Sequence, residues 1–177
     1  MARRSLALLI AFAASGCGRT DTPTVYYVED RWTDEEIVVI RAAADKWNDL
    51  AMTQLRYPTP LLEYGGRVHD RFREDVFADD RHVVYRISSA EECPLLLNPE
   101  ELGGYATMQD VLLFSYNLYG GTNWYPEYLY SVTLHEFGHF IGLPHFENRI
   151  GIMNPLVSAD DLRPADIDQF CIAYECK

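Results

Sequence analysis

The chain has 177 residues with 15 basic against 27 acidic side chains, a formal charge of -12, and this balance argues against nucleic acid as a partner. Hydrophobic residues at 48% and aromatic residues at 13% exclude a disordered chain and suit one ordinary domain with a real core. The charge would suit cationic peptides as ligands, although net charge is more often a matter of solubility.

In chain order, residues 1–16 read as a signal peptide: Arg3 and Arg4, an apolar run from Leu6 to Ala14, then small residues. The run is too short to span a bilayer comfortably. "ASGC", ending at Cys17, resembles a bacterial lipoprotein box, in which the cysteine is lipidated and heads the mature protein. Ala14 departs from the leucine usual in that box, and plain secretion is the alternative. Acylation of Cys17 would anchor the protein to a membrane at about 0.8 kcal/mol per buried methylene. Residues 17–24 would then be a short polar tether, and 25–177 the domain. Either route leads out of the cytosol to an oxidising compartment, the bacterial envelope or the medium. Cys93, Cys171 and Cys176 then make one disulfide and one leftover thiol. The expected bond joins Cys93 to Cys171 or Cys176, stapling the C-terminal segment to the body. Cys93 as an inhibitory metal ligand has nothing around "EECPLLL" to support it.

"VYYV" at Val25–Val28 predicts a strand, and "TDEE" at Thr33–Glu36 is a capping box that opens a helix. Ile37, Ile40, Ala44, Trp47 and Ala51 recur at helical spacing, so one face of that helix is buried to about Ala51. "PTPLLEYGG" reads as turn-rich, and His69 to Arg81 as a solvated loop or a short irregular segment. "HVVYRIS", "YATM" and "DVLLFS" predict three strands. Pro126 suits the first turn of a helix running to about Ile141, with Leu129, Val132, Phe137 and Phe140 as apolar positions.

That helix carries "HEFGHFIGLPHF", which holds three of the chain's five histidines. His135 and His139 are four apart, so both imidazoles project from one face at a separation one cation can bridge. Glu136, beside the first of them, can reach a metal-bound water without being a ligand itself. Gly142 can take the positive φ of a sharp helix exit, and the returning chain brings His145 to the same metal. Three neutral imidazoles with one open position are the ligand set of a catalytic zinc site. A lone histidine is more often an ordinary surface or core residue, and a bare H-E-x-x-H arises by chance roughly once in a hundred such chains. Adding Gly142 and His145 makes coincidence rarer by a factor on the order of 10³.

At these residues "HEFGHFIGLPH" matches the metzincin signature H-E-x-x-H-x-x-G-x-x-H, and the chain resembles matrixin-like bacterial peptidases. The resemblance implies an α+β, metzincin-like single domain: a twisted mixed sheet with an active-site helix and a C-terminal helix. It implies that Met153 in "GIMNP" forms the methionine turn beneath the metal. "LRPADIDQFCIAY" looks like the closing matrixin helix, with Pro164 in its first turn and a face of Ile167, Phe170, Cys171 and Tyr174. Three positions depart from relatives. Phe146 stands where matrixins commonly have serine, which leaves the subfamily open. Pro155 stands where astacins have a tyrosine. Only His69 and His82 remain for the second, structural zinc of many matrixins, so that site is not expected. Nor is a cysteine-switch propeptide, because the interval from Cys17 to His135 is needed for the domain.

The expected function is an extracytoplasmic zinc-dependent endopeptidase acting on protein or peptide substrates, with one catalytic Zn2+ and Glu136 as general base. The resemblance suggests that substrate lies extended along an edge strand, within "GGYATM". The rival from another class is a zinc-stabilised lipoprotein that binds a partner and cleaves nothing. A general base beside the ligands argues against it, since structural sites prefer four protein ligands. The many carboxylates are compatible with Ca2+ but specify no ligand loop. Substrate preference and oligomeric state leave no mark in the sequence.

Overall fold

Thr33 opens the first helix as expected: its hydroxyl accepts from the Glu36 N–H at 3.2 Å, and the Glu36 carboxylate accepts from the Thr33 N–H at 2.9 Å. This helix, α1 (Asp34–Gln54), runs a little past Ala51 and buries Ile37, Ile40, Ala43, Ala44, Trp47, Leu50 and Ala51 along one face. The structure is a computed structural model that describes residues 22–56, 58–72, 81–92, 103–107, 109–115, 126–146, 150–155 and 159–177. The leader, Cys17 and Cys93 lie outside these residues.

Five strands, β1 (Thr24–Glu29), β2 (Leu62–Val68), β3 (His82–Ile87), β4 (Gly104–Ala106) and β5 (Val111–Phe114), form one mixed sheet in the order β2-β1-β3-β5-β4. The first four neighbours in that order run parallel, and β4 pairs antiparallel with β5 at one edge. β3 and β5 lie inside the sheet, and "VVY" and "VLLF" are buried on both faces, which explains their near-continuous apolar runs. Tyr26, Val28, Val84, Val111 and Leu113 face the helices, while Val83, Tyr85, Ile87, Leu112 and Phe114 build a smaller cluster with Tyr27, Val68 and Phe72.

β2 corrects the turn-rich reading of "PTPLLEYGG". The register shifts between Tyr26 and Tyr27, which pair with Tyr64 and Gly66, so Gly65 is the extra residue of a bulge. A Cβ at Gly65 would lie 2.7 Å from the Tyr27 ring, and Gly66 has φ 112. The glycines therefore serve a bulge inside a strand rather than ending one. Residues 69–72 of the expected loop carry no regular structure.

Two further helices, α2 (Pro126–Phe140) and α3 (Pro164–Tyr174), complete the fold. α2 lies along α1, and Trp47 fastens the seam: it is wholly buried, its indole N–H donates to the Leu134 carbonyl at 2.8 Å, and its ring stacks on Phe170 of α3 at 6.2 Å. The fold is a mixed sheet with helices, as the sequence led us to expect. No helix among the described residues is long and apolar enough to cross a membrane.

The disulfide departs from expectation. Cys171 pairs with Cys176, and not with Cys93. Glu175 ends α3 in the left-handed conformation, which turns Cys176 back until the two Cα atoms are 4.7 Å apart. The tail still reaches the body, through the Leu55–Cys176 bridge and the Lys177 N–H to the Gln54 carbonyl at 3.1 Å. Mapping of unreduced peptides should recover Cys171 and Cys176 in one linkage, unchanged by Cys93→Ser; a Cys93-linked peptide would reject this pairing. Trp47→Ala should cost about 3–5 kcal/mol in urea unfolding, as for other large buried aromatics.

Candidate metal centre

α2 ends in a Schellman turn. The Leu143 N–H donates to the Gly138 carbonyl at 2.9 Å and the Gly142 N–H to the His139 carbonyl at 2.8 Å, with Gly142 at φ 93. Glycine is needed there because an L side chain rarely adopts that φ. The turn does two things at once. It reverses the chain towards His145, and it aims the Leu143 carbonyl at His139, whose Nδ1 donates to it at 2.8 Å.

The three Nε2 atoms of His135, His139 and His145 converge at mutual distances of 3.0, 3.1 and 2.9 Å. The contact between His135 and His139 is not an ordinary hydrogen bond. His135 Nδ1 lies 2.5 Å from the Ile152 carbonyl, and a carbonyl can only accept, so in His135 and His139 the ring proton sits on Nδ1. In a neutral ring Nε2 is then a bare lone pair. Protonation is strongly opposed: burial, reinforced by the neighbouring histidines, carries His135 down to about 3 and His139 to about 4 against the pull of their carbonyl partners. Lone pairs held about 3 Å apart repel unless a cation lies among them.

The donor set fits a zinc-like ion. Tetrahedral coordination at about 2.0–2.1 Å separates ligand nitrogens by about 3.3–3.4 Å, so the cluster needs to open by only a few tenths of an ångström. Carbonyl partners on the outer ring nitrogens are the usual means of orienting metal-bound imidazoles. Among the described residues this is the one group of histidine, cysteine and carboxylate side chains placed to hold an ion.

Met153 lies in a turn packed against Gly138 of α2, wholly buried. A Cβ on Gly138 would come within 2.2 Å of its sulfur and 3.1 Å of the Trp47 ring, so the glycine between His135 and His139 is what lets Met153 press against α2. From the other side Asp166, also wholly buried, grips the same turn. Its carboxylate accepts from the Ile152 and Met153 N–H groups, each at 3.0 Å, and from the Arg163 N–H at 2.7 Å. Two more side chains of α3 hold the returning loop: Gln169 Nε2 donates to the Pro144 carbonyl at 2.7 Å, and the Tyr174 hydroxyl to the Ile141 carbonyl at 2.6 Å. Phe146, the residue after the third histidine, donates its N–H to the Met153 carbonyl at 3.2 Å and packs where a Cβ on Gly151 would lie 2.6 Å from its ring.

Glu136 is buried next to His135, and its Oε2 finds no hydrogen-bond partner among the described residues. Burial pushes its carboxyl up to about 8, offset in part by a hydrogen bond from the Ala106 N–H.

The roles of Gly138 and Asp166 were not read from the sequence. Gly138 occupies a free position of the motif, and Asp166 looks like any acid in a helix's first turn. The alternation of turn and helix gives no signal that this carboxylate points inward.

Gly138→Ala should lower zinc affinity together with stability, by about 1–3 kcal/mol for the overpacking less up to about 1 kcal/mol of helix propensity, read by metal titration and urea unfolding. The raised carboxyl of Glu136 contributes stability that is complete below pH 4.5 and is lost as pH rises through 8. Metal-stripped Glu136→Gln should therefore gain on the parent across that interval, and a constant difference from pH 4.5 to 8 would contradict the burial argument. The two lowered histidines act oppositely, removing stability as pH falls from 6.5 towards 3 to 4.

A comparison with protein-family models matches the Matrixin model, peptidase family M10, over residues 77–172. A comparison with curated proteins finds no match. The matched span covers more than half of the chain and takes in the three histidines, Glu136, Met153 and Asp166. This chain belongs to the matrixin family of peptidases.

Proposed function

We propose that the protein is an extracytoplasmic zinc-dependent endopeptidase with His135, His139 and His145 as zinc ligands and Glu136 as general base. The observation that carries the reading is the convergence of three Nε2 atoms within 3.1 Å of one another beside a buried carboxylate, one oxygen of which has no partner among the described residues. A zinc ion in an open three-histidine site supplies Lewis acidity, to the attacking water and to the scissile carbonyl.

The rest of the chemistry belongs to the chain. Glu136 takes the proton of the attacking water and then delivers it to the departing amine nitrogen. A carboxyl raised towards neutrality suits both halves of that task, because it can accept and release a proton near the working pH. Ile152 and Leu143 hold the first two imidazoles in the tautomer that leaves Nε2 free. Ligand loop and methionine turn are both tied to α3, which limits reorganisation during turnover. β4 is the edge strand of the sheet among the described residues, a position in keeping with an extended peptide substrate.

Export belongs to the same proposal. Arg3, Arg4 and the apolar run support a leader, and the box at Cys17 supports a lipid anchor in the bacterial envelope. The Cys171–Cys176 bond accords with an oxidising compartment. Labelled palmitate should enter the parent and not Cys17→Ser, whereas equal labelling would remove the anchor from the proposal.

Hydrolysis of an unbiased peptide mixture tests the activity. Glu136→Ala should keep full zinc and lose roughly 10²–10⁴ in kcat. His139→Ala should lose both zinc and hydrolysis, and metal held at full occupancy in that variant would overturn the ligand assignment. Equal cleavage by parent and Glu136→Ala at equal zinc would remove Glu136 from the mechanism. Cleavage by neither, with zinc bound, would favour a non-catalytic binding module.

A further inference from the structure

Gly104, the first residue of β4, has a φ outside the left-handed region, so its backbone conformation does not call for glycine. What the position supplies is the absence of a side chain. A Cβ there would lie 2.7 Å from Glu136 Cγ and 2.8 Å from Oε1, closer than such atoms approach in folded proteins, and 3.0 Å from Cδ. The carboxylate therefore rests directly on the strand's backbone.

The same strand holds it a second way. In the β4–β5 pair the Phe114 N–H donates to Gly103 and the Thr107 N–H to Asp110, so the backbone groups of Gly103, Tyr105 and Thr107 face β5. Those of Gly104 and Ala106 face away from β5, towards an edge that no described strand covers, and there the Ala106 N–H bonds to the Glu136 carboxylate. An edge N–H left without a partner would be a template for wrong pairing. Here it is occupied.

We propose that Gly104 is a positioning residue for Glu136: its bare backbone is the floor of a slot in β4 that, with the Ala106 N–H, fixes the carboxylate beside the three imidazoles. This rests on the reading of Glu136 as general base. A side chain at 104 displaces the carboxylate and leaves the histidines in place, since no ring of the cluster is among the atoms a Cβ there would meet first.

The test is a double-mutant cycle of Gly104→Ala and Glu136→Ala in the zinc-loaded protein, read by urea unfolding, zinc content, amide exchange at Ala106 and peptide hydrolysis. Gly104→Ala should retain zinc, keep KM within about twofold and lose roughly 10- to 100-fold in kcat, the scale expected for a misplacement of about 1 Å. It should also speed exchange of the Ala106 amide to the rate seen in Glu136→Ala. Any loss of stability should vanish when Glu136→Ala is present as well, because the clash is with that side chain. Parent-like kcat, unchanged protection at Ala106, or a stability loss that persists in the double variant would each overturn the proposal. If the parent hydrolyses no peptide, the peptidase reading fails, while the exchange and stability arms still decide whether Gly104 positions Glu136.

Discussion

Three imidazole Nε2 atoms are turned towards one point, the lone pairs of His135 and His139 repel there, and the arrangement around them is a means of holding them in place. Each outer nitrogen of His135 and His139 is tied to a carbonyl, and burial resists the protonation that would otherwise relieve the crowding. The cost is stored as an affinity for a cation. A site so built is neither a core cluster nor a surface accident, because burial opposes protonation while the carbonyl contacts leave the metal-binding electrons of Nε2 free.

The buttresses come from distant parts of the chain. Ile152, which holds His135, is itself held by Asp166 on α3, and Leu143, which holds His139, is delivered by the glycine turn that ends α2. Gln169 and Tyr174 tie the intervening loop to α3 as well. α3 is thus a strap across the back of the site. Its own position is set by Phe170 against Trp47 and by the tail, where the Cys171–Cys176 bond closes the last turn.

Close approach does the rest. Gly138 admits Met153, Gly151 admits the Phe146 ring and Gly104 admits the Glu136 carboxylate. In each case the missing side chain is replaced by a neighbour that the site needs. Phe146, a departure from the serine common in matrixins, is accommodated in this way: it packs against the turn it is hydrogen-bonded to, and the ligand geometry stays intact.

The metal cluster could be read from the sequence because it is local. Helical spacing puts His135 and His139 on one face, and Gly142 permits a sharp exit that returns His145, so few contacts beyond residues 135–145 are needed to foresee it. The capping box of α1 and the apolar strands were legible for the same reason, each being a pattern within a few neighbouring residues. What the sequence did not disclose depends on partners far along the chain. The two glycines of β2 mimic a turn until β1 lies beside them, and the partner of Cys171 was decided by a left-handed residue at a helix end. The inward aim of Asp166 and the slot at Gly104 exist only once α3 and β4 are packed on the site. Spacing determined which atoms could bind a metal; tertiary packing alone decided what holds those atoms still, because a buried contact is a property of two surfaces and neither is written in the other's sequence.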